Sequence, residues 1–365
     1  MKFQCTKADI LTTVQQAQNI VGQKTTLQIL SNLLIEAKGD ELRITSTDLE
    51  IGLHSQCKVD VENEGRTTVP AKKFFDIIRS MSDKPITIET DDEDVTTVSS
   101  GKSSKFRLLG LPAEDFPKLP DFSGEDCWEF KQSILKTIIK QTTHAISRDE
   151  SRYVLNGIYT VLNSKEITAV TTDGRRLAKS YHSGMNFKDC KIDFILPTKA
   201  VTELTKLIDD EGQLKIYPKG NQVCFEIGNT TLITKLIEGN FPEYQAVIPE
   251  SLEQKIVLNK NKFIETLSRV AILTSDKTNS IKLVFSENLC TITSNSPNVG
   301  DAREEIEVEY EGPELPIAFN PYYLMDILKC LEAETATIEL TNALKPGVIK
   351  EGDNFLAVIM PMRLE

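Results

Sequence analysis

Histidine and tryptophan are nearly absent from this sequence: three histidines (His54, His144, His182) and one tryptophan stand among 365 residues. None of the histidines neighbours a serine or cysteine in a nucleophile elbow such as G-x-S-x-G, so triad chemistry finds no constellation. The seven cysteines are dispersed without any C-x-x-C spacing, which excludes a zinc ribbon and a disulfide framework and leaves reduced thiols. No run approaches the ~18 apolar residues of a membrane span, and Met1-Lys2-Phe3-Gln4-Cys5 has no apolar signal core, so the expected location is cytoplasmic.

A complete phosphate-binding loop is also missing. Ser100-Gly101-Lys102-Ser103 matches its end, but Thr96 stands where the first glycine must let the backbone curl. With Asp91-Asp92-Glu93-Asp94 before it and Phe106 after it, the stretch reads as a hairpin. Neither that acidic run nor Asp209-Asp210-Glu211 has the alternating ligands and glycine of a calcium loop. No metal and no cofactor are expected.

What is present is repetition. Thr47-Asp48-Leu49-Glu50 is echoed 125 residues later by Thr172-Asp173-Gly174-Arg175-Arg176-Leu177, with Thr293-Ser294-Asn295-Ser296 at the matching point of the last third. That is a domain period, not a solenoid period. Each third opens with an apolar stripe at helical spacing: Ile10, Leu11, Val14, Ala17, Val21; then Ile134, Leu135, Ile138, Ile139, Ile146; then Phe263, Ile264, Leu267, Val270. Paired β-branched runs follow, such as Ile29 to Glu36, Gly157 to Leu162 and Ser280 to Phe285, joined by turn residues.

A second helix then follows a proline in each third, at Pro70, Pro197 and Pro321, where proline suits a first helical turn. Phe116-Pro117 and Phe241-Pro242 close the first two thirds. The pattern predicts an α+β fold of three tandem domains, each with two helices packed on antiparallel sheet, spanning 1–122, 123–250 and 251–365.

The chain carries −12 overall, which argues against general affinity for nucleic acid. The distribution says more. The six helical windows together carry +8, leaving −20 on strands and loops. Lys136, Lys140 and His144 form a stripe opposite the apolar face, giving His144 a solvated or phosphate-facing place. Six helical windows of which four are net positive and none negative suit a surface lining one polyanion through sequence-independent phosphate contacts.

These motifs, in this order and spacing, resemble the bacterial sliding-clamp family, the β subunits of the replicative DNA polymerase III. The resemblance rests on Thr47 to Glu50, Val69-Pro70-Ala71-Lys72-Lys73-Phe74-Phe75, Leu155-Asn156-Gly157, Thr172 to Leu177 and the terminal Met-Pro-Met-Arg-Leu, and covers the whole chain. It implies a homodimeric ring of six similar domains, helices inward, that encircles duplex DNA and confers processivity without catalysis.

By the resemblance, DNA contact falls on Lys24, Arg148, Arg152 and Lys277, and the basic helical stripe adds Lys136 and Lys140. The dimer seam joins Phe106, Leu108, Lys105 and Arg107 of one subunit, with Lys72, to Ile272, Leu273, Glu304 and Glu305 of the other, with Glu307. A cleft for short client peptides of polymerases, clamp loader and repair factors takes Leu155, Thr172, Gly174, Arg175, Arg176, Leu177, Pro242, Val247, Val358, Met360, Pro361, Met362, Arg363 and Leu364.

Three positions depart from the family pattern: Arg175 stands where histidine is common, Lys24 replaces an arginine, and Glu365 extends past the usual terminal leucine. The rival readings are a nucleotide-dependent enzyme using the Gly101-Lys102-Ser103 turn, and a repeat scaffold that never encircles DNA.

Overall fold

The structure is a computed structural model and describes residues 1–22, 26–101, 104–184, 191–275 and 279–363. Among these the chain forms six α-helices: α1 (Lys7–Ile20), α2 (Ala71–Ser80), α3 (Gln132–Thr142), α4 (Thr198–Leu207), α5 (Lys260–Val270) and α6 (Pro321–Cys330). All strand pairings are antiparallel and fall into four sheets.

Two compact units divide the chain, residues 1–133 with 202–236, and residues 134–201 with 237–365. In the first, a five-stranded sheet runs in the order 60–63, 2–5, 86–90, 95–100, 104–109. An eight-stranded sheet continues from strands of the second third into strands of the first, because Thr230–Lys235 pairs with Ile51–Lys58. Helix α1 begins at a capping box in which Thr6 and Asp9 satisfy each other's end groups. Its Ile10, Val14 and Ala17 are fully buried with Phe74 and Ile78 of α2, so the apolar stripes read from the sequence are core.

In the second unit an eight-stranded sheet joins Arg176–Ser183 to Phe355–Ile359, again marrying strands of two successive thirds. A four-stranded sheet has Gly300–Glu307 at its edge. Phe263, Leu267 and Val270 of α5 pack with Leu324, Ile327 and Leu328 of α6 over these sheets. Each such side chain contributes about 2 kcal/mol by leaving water.

Three local expectations are corrected. The first strand of the first third begins at Asn32, since Gln28–Ser31 form a 3₁₀ turn that tucks Leu30 inward. Helix α3 ends at Thr142, where the Thr142 and Thr143 hydroxyls donate to the carbonyls of Ile138 and Ile139, and a 3₁₀ turn carries the chain to Ala145. Only Pro321 sits in a first helical turn, with Asn320 as the capping residue; Pro70 is itself an N-cap and Pro197 ends a strand.

Candidate functional site

The echo at 47 and 172 is a repeated turn. The Thr172 hydroxyl donates to the Arg176 carbonyl at 2.7 Å and accepts from the Gly174 N–H, while Asp173 Oδ1 accepts from the N–H groups of Arg175 and Arg176. In the first third, Thr47 bonds Ile51 and Leu49, and Asp48 bonds Glu50 and Ile51, in the same pattern. The third position is left-handed in both, with φ of 83° at Gly174 and 76° at Leu49.

The second turn carries more than the first. Asp173 Oδ2 grips Arg176 Nε at 3.0 Å, Asp326 Oδ2 of α6 grips Nη1 at 2.7 Å, and the guanidinium lies 4.2 Å from the centre of the Tyr323 ring. Arg176, 11% exposed, therefore pins strand 176–183 to α6. Gly174 leaves room below for Arg152, whose Nη1 would stand 2.9 Å from a Cβ at that position.

Opposite this turn the strand ends converge. Arg176 is the register partner of Ile359, Gly347 pairs with Ile359 from the other side, and the Arg175 carbonyl accepts from the Met360 N–H at 2.9 Å. Met362 N–H then donates to the Ala318 carbonyl, holding Met360 to Met362 against the sheet end. Met360, Val247 and Leu344 are exposed large apolar side chains.

Val247 and Pro242 are delivered by segment 241–248. Phe241 stacks on Tyr159 at 4.8 Å, with Tyr244 tilted against the same ring, and both join Leu177, Val170, Val348 and Val358. Burial, reinforced by Asp193, pushes the Tyr159 hydroxyl up to about 12.

Of the residues assigned to the cleft, Thr172, Gly174, Arg175, Arg176, Val358, Met360, Pro361 and Met362 thus gather at one sheet end. Leu177 and Val358 are register partners and fully buried, and Leu155 is also buried, so none of the three stands exposed. Arg363 is exposed, and Leu364 lies outside the described residues. Asp326, Tyr323 and Leu344 escaped the sequence reading. Leu344 alone carries a signal, a leucine inside the turn Asn342-Ala343-Leu344-Lys345-Pro346.

The cationic set is scattered along α3 and the turn after it. Lys140 is exposed and lies 3.6 Å from Glu332; Lys136 is half-buried; Arg148 and Arg152 are exposed. Lys24 and Lys277 lie outside the described residues.

His144 is not on that stripe. Its Nδ1 lies 3.4 Å from Cys330 Sγ, its Nε2 is buried without a hydrogen-bond partner among the described residues, and burial with Arg176 nearby pushes its pKa down to about 4. The end of α3 at Thr142 turns the ring inward.

The third set sits on two unpaired sheet edges. Strand Ser104–Leu109 presents Phe106, Lys105 and Arg107 with Leu108 buried, and strand Gly300–Glu307 presents Glu305 and Glu307. Ile272 is exposed and Leu273 half-buried beside the latter. Glu304 is already held by Arg269, and Glu305 by Arg303, within the chain.

The Gly101 turn lies in a hairpin, with Ser100 paired to Ser104 across it, and no helix follows; Lys102 and Ser103 lie outside the described residues. Among the described residues no cluster of His, Cys, Asp and Glu could hold a metal ion, and no helix is long and apolar enough to cross a membrane. Cys5, Cys224 and Cys290 are buried free thiols pushed up to about 12 by desolvation.

Comparison with known proteins matches the chain to three family models of the DNA polymerase III beta subunit: the N-terminal domain at 1–120, the central domain at 129–243 and the C-terminal domain at 245–363. It is similar to the beta sliding clamp of Chlamydia muridarum, 35% identical over 364 residues, covering 100% of this chain and 99% of that protein. The beta sliding clamp of Escherichia coli is 34% identical over 370 residues and covered completely. Among solved structures, a DnaN sliding clamp from Pseudomonas aeruginosa bound to griselimycin superposes with a TM-score of 0.95 at 33% identity, with 100% of each chain covered. The DNA polymerase sliding clamp of Bacillus subtilis gives 0.95 at 29% identity, again over 100% of each chain.

Proposed function

The chain belongs to the bacterial sliding-clamp family, the beta subunits of DNA polymerase III, and from that premise we propose how its residues do the work. It is a processivity factor and not an enzyme: a homodimeric ring in the cytoplasm that encircles duplex DNA and tethers polymerases to it. The match along the whole chain carries the reading, and the contrast between basic helices and acidic strands supports it.

Three clamp domains span 1–122, 123–250 and 251–365. Lys24, Lys136, Lys140, Arg148, Arg152 and Lys277 face the duplex through phosphate contacts that are individually weak, so the ring slides. The edge strand with Phe106 and Leu108 meets the edge strand and the Ile272-Leu273 turn of a second copy, an apolar centre rimmed by Lys105 and Arg107 against Glu305 and Glu307. The convergence around Thr172 to Leu177 and Met360 to Met362, together with Pro242, Val247, Leu155, Arg363 and the family's Leu364, takes an extended peptide. Exposed methionine beside buried valine and leucine suits several clients of different sequence.

The hairpin around Gly101 disfavours the nucleotide-enzyme reading, because phosphate needs a helix N-terminus after the loop. The ring reading is tested by loading the protein on plasmid DNA with an ATP-dependent loader. Retention on circular DNA and loss on linearisation is expected; equal retention on both would leave a scaffold that never encircles.

A further inference from the structure

The two eight-stranded sheets each join strands of successive thirds, and the two joints are built alike. At the later joint Leu177 is the register partner of Val358, and the Arg175 carbonyl accepts from the Met360 N–H at 2.9 Å. At the earlier joint Gly52 is the register partner of Ile233, and the Glu50 carbonyl accepts from the Lys235 N–H, also at 2.9 Å. Each of these four residues stands 125 positions before its counterpart. The segments after the closing Phe-Pro correspond as well: Phe116, Leu119 and Phe122 match Phe241, Tyr244 and Val247 at the same interval.

What differs is the filling. At the later joint Val247 is 45% exposed, whereas at the earlier one Phe122 is 8% exposed and packs with Cys224 and Ile233. Leu119 and Tyr217 lie against the same cluster. A Cβ at Gly52 would collide with Leu119 Cδ2, so the missing side chain at this position makes the depth that the leucine fills. Pro117 and Pro120 favour extended backbone at Phe116 and Leu119, the conformation of a peptide laid along a groove.

Lys219 latches the segment down. Its Nζ donates to the Asp121 carbonyl at 3.0 Å, pairs with Glu125 at 2.9 Å and lies 5.8 Å from the centre of the Phe122 ring. Asp121 Oδ1 accepts from the N–H and the hydroxyl of Ser123, which closes a local turn just past the anchors. The ion pair is partly exposed, so the latch is weak and the segment can lift without global unfolding.

We infer that the earlier joint is a second peptide-binding cleft occupied in cis. Leu119 and Phe122 sit in it as the two anchors of an extended apolar-x-x-aromatic peptide, and a free peptide of that chemistry takes their place once the segment is released. The inference rests on reading the later joint as the client cleft, whose plan the earlier one repeats. Ordinary core would differ in one respect: its side chains, once removed, could not be replaced by a peptide added from solution.

The test reads Cys224, which is 4% exposed in the cluster with Phe122. Iodoacetamide labelling of the full chain, followed by mass spectrometry of the fragment carrying Cys224, should be slow in the unaltered protein. Phe122→Ala should speed it about tenfold or more, and Lys219→Ala by a smaller factor, because only the latch is lost. The capped peptide Lys-Leu-Pro-Asp-Phe, the chain's own sequence from 118 to 122, should slow labelling of Phe122→Ala severalfold at about 5 mM, since a short tether supplies its segment at an effective concentration in the millimolar range. The same peptide with serine for both anchors should leave the rate unchanged. Fast labelling that neither peptide slows, or that both slow equally, overturns the inference and returns Leu119 and Phe122 to the core. If Phe122→Ala does not fold, the same competition on Lys219→Ala decides, because its apolar contacts are intact. A dye-labelled peptide with two leucines and a phenylalanine, read by anisotropy on the unaltered chain, tests the later joint separately. Its failure to bind withdraws the client-cleft reading and the inference with it; its binding alongside an unprotected Cys224 overturns the inference alone.

Discussion

Arg269 of α5 closes a two-pronged ion pair on Glu304 of the edge strand, Nε to Oε1 at 2.7 Å and Nη2 to Oε2 at 2.5 Å. The same helix-to-strand tie is neutral in the other two copies. Ser55 donates to Gln16 Oε1 at 3.0 Å, and Ser180 donates to Gln141 Oε1 at 2.6 Å, with both residues of the second pair displaced by 125 from the first. In the neutral copies the strand continues into a neighbouring strand, Ser55 opposite Thr230 and Ser180 opposite Phe355. The charged version sits on the edge that has no such neighbour among the described residues.

The edge tie should therefore be sensitive to acid where the inner ties are not. Hydrogen bonds from Arg269 hold the Glu304 carboxyl below its usual range. A depressed carboxyl pKa adds stability above the unfolded value, and that stability is lost as pH falls through the folded one. Replacing the pair by Arg269→Gln with Glu304→Ser recreates the neutral tie. Sedimentation of the double variant should show dimerisation changing less between pH 7 and pH 4 than in the unaltered chain; an unchanged pH dependence would refute the assignment.

His144 contributes at a higher pH. Its ordinary value of 6.5 is pushed down to about 4 by burial and by Arg176, so the folded state holds it neutral. The stability this represents is present above the unfolded pKa and is lost as pH falls from about 6.5 toward 4, on the order of 3 kcal/mol in all. His144→Gln should flatten this part of the denaturation midpoint's pH profile. A parallel profile in both proteins would show that the ring titrates freely.

Asp326 positions Arg176. Asp326→Ala leaves the guanidinium, nearly enclosed, with one carboxylate in place of two. We expect about 2 kcal/mol lost from the second unit, read as a lower denaturant midpoint at unchanged slope, and weaker peptide binding. Asp326→Glu should restore binding more than Asp326→Asn, because the charge and not the shape holds Arg176. If Asp326→Asn binds peptide as the unaltered chain does, Asp326 has no positioning role.

The two copies of the turn differ in strain. Leu49 holds a φ of 76° that glycine adopts without penalty, whereas Gly174 holds 83° and sits over Arg152. Leu49→Gly should stabilise the protein and Gly174→Ala destabilise it, each by about 1 kcal/mol, with Gly174→Ala also displacing Arg152. Opposite signs in thermal unfolding support this; a loss in both would mean that the leucine side chain outweighs its backbone strain.

Much of the architecture was legible because it depends on short-range periodicity. Apolar spacing located the six helices, and Gly157–Leu162 and Ile281–Ser286 form strands at, or within one residue of, the positions read from β-branched runs. Thr-Asp at a fixed interval marked a turn whose side chains bond their own backbone, so the chemistry is local and the sequence determines it. The Gly101 hairpin was legible for the same reason.

Tertiary structure alone decided which residues share a place. Asp326 lies 150 positions from Arg176, and no local pattern joins them; only the packing of α6 against strand 176–183 does. His144 sat on a basic helical face by spacing, yet hydroxyl bonds at Thr142 and Thr143 end the helix and turn the ring toward Cys330. Which arginine is ion-paired among the described residues, Arg175 or Arg176, also follows from long-range partners, because adjacent identical residues differ only in what the fold brings to them. The sequence by itself determined the repeat, since hydrogen bonds and apolar faces within a few residues suffice for it. The fold decided which charges remain uncompensated, because ion pairing depends on distance in space and not along the chain.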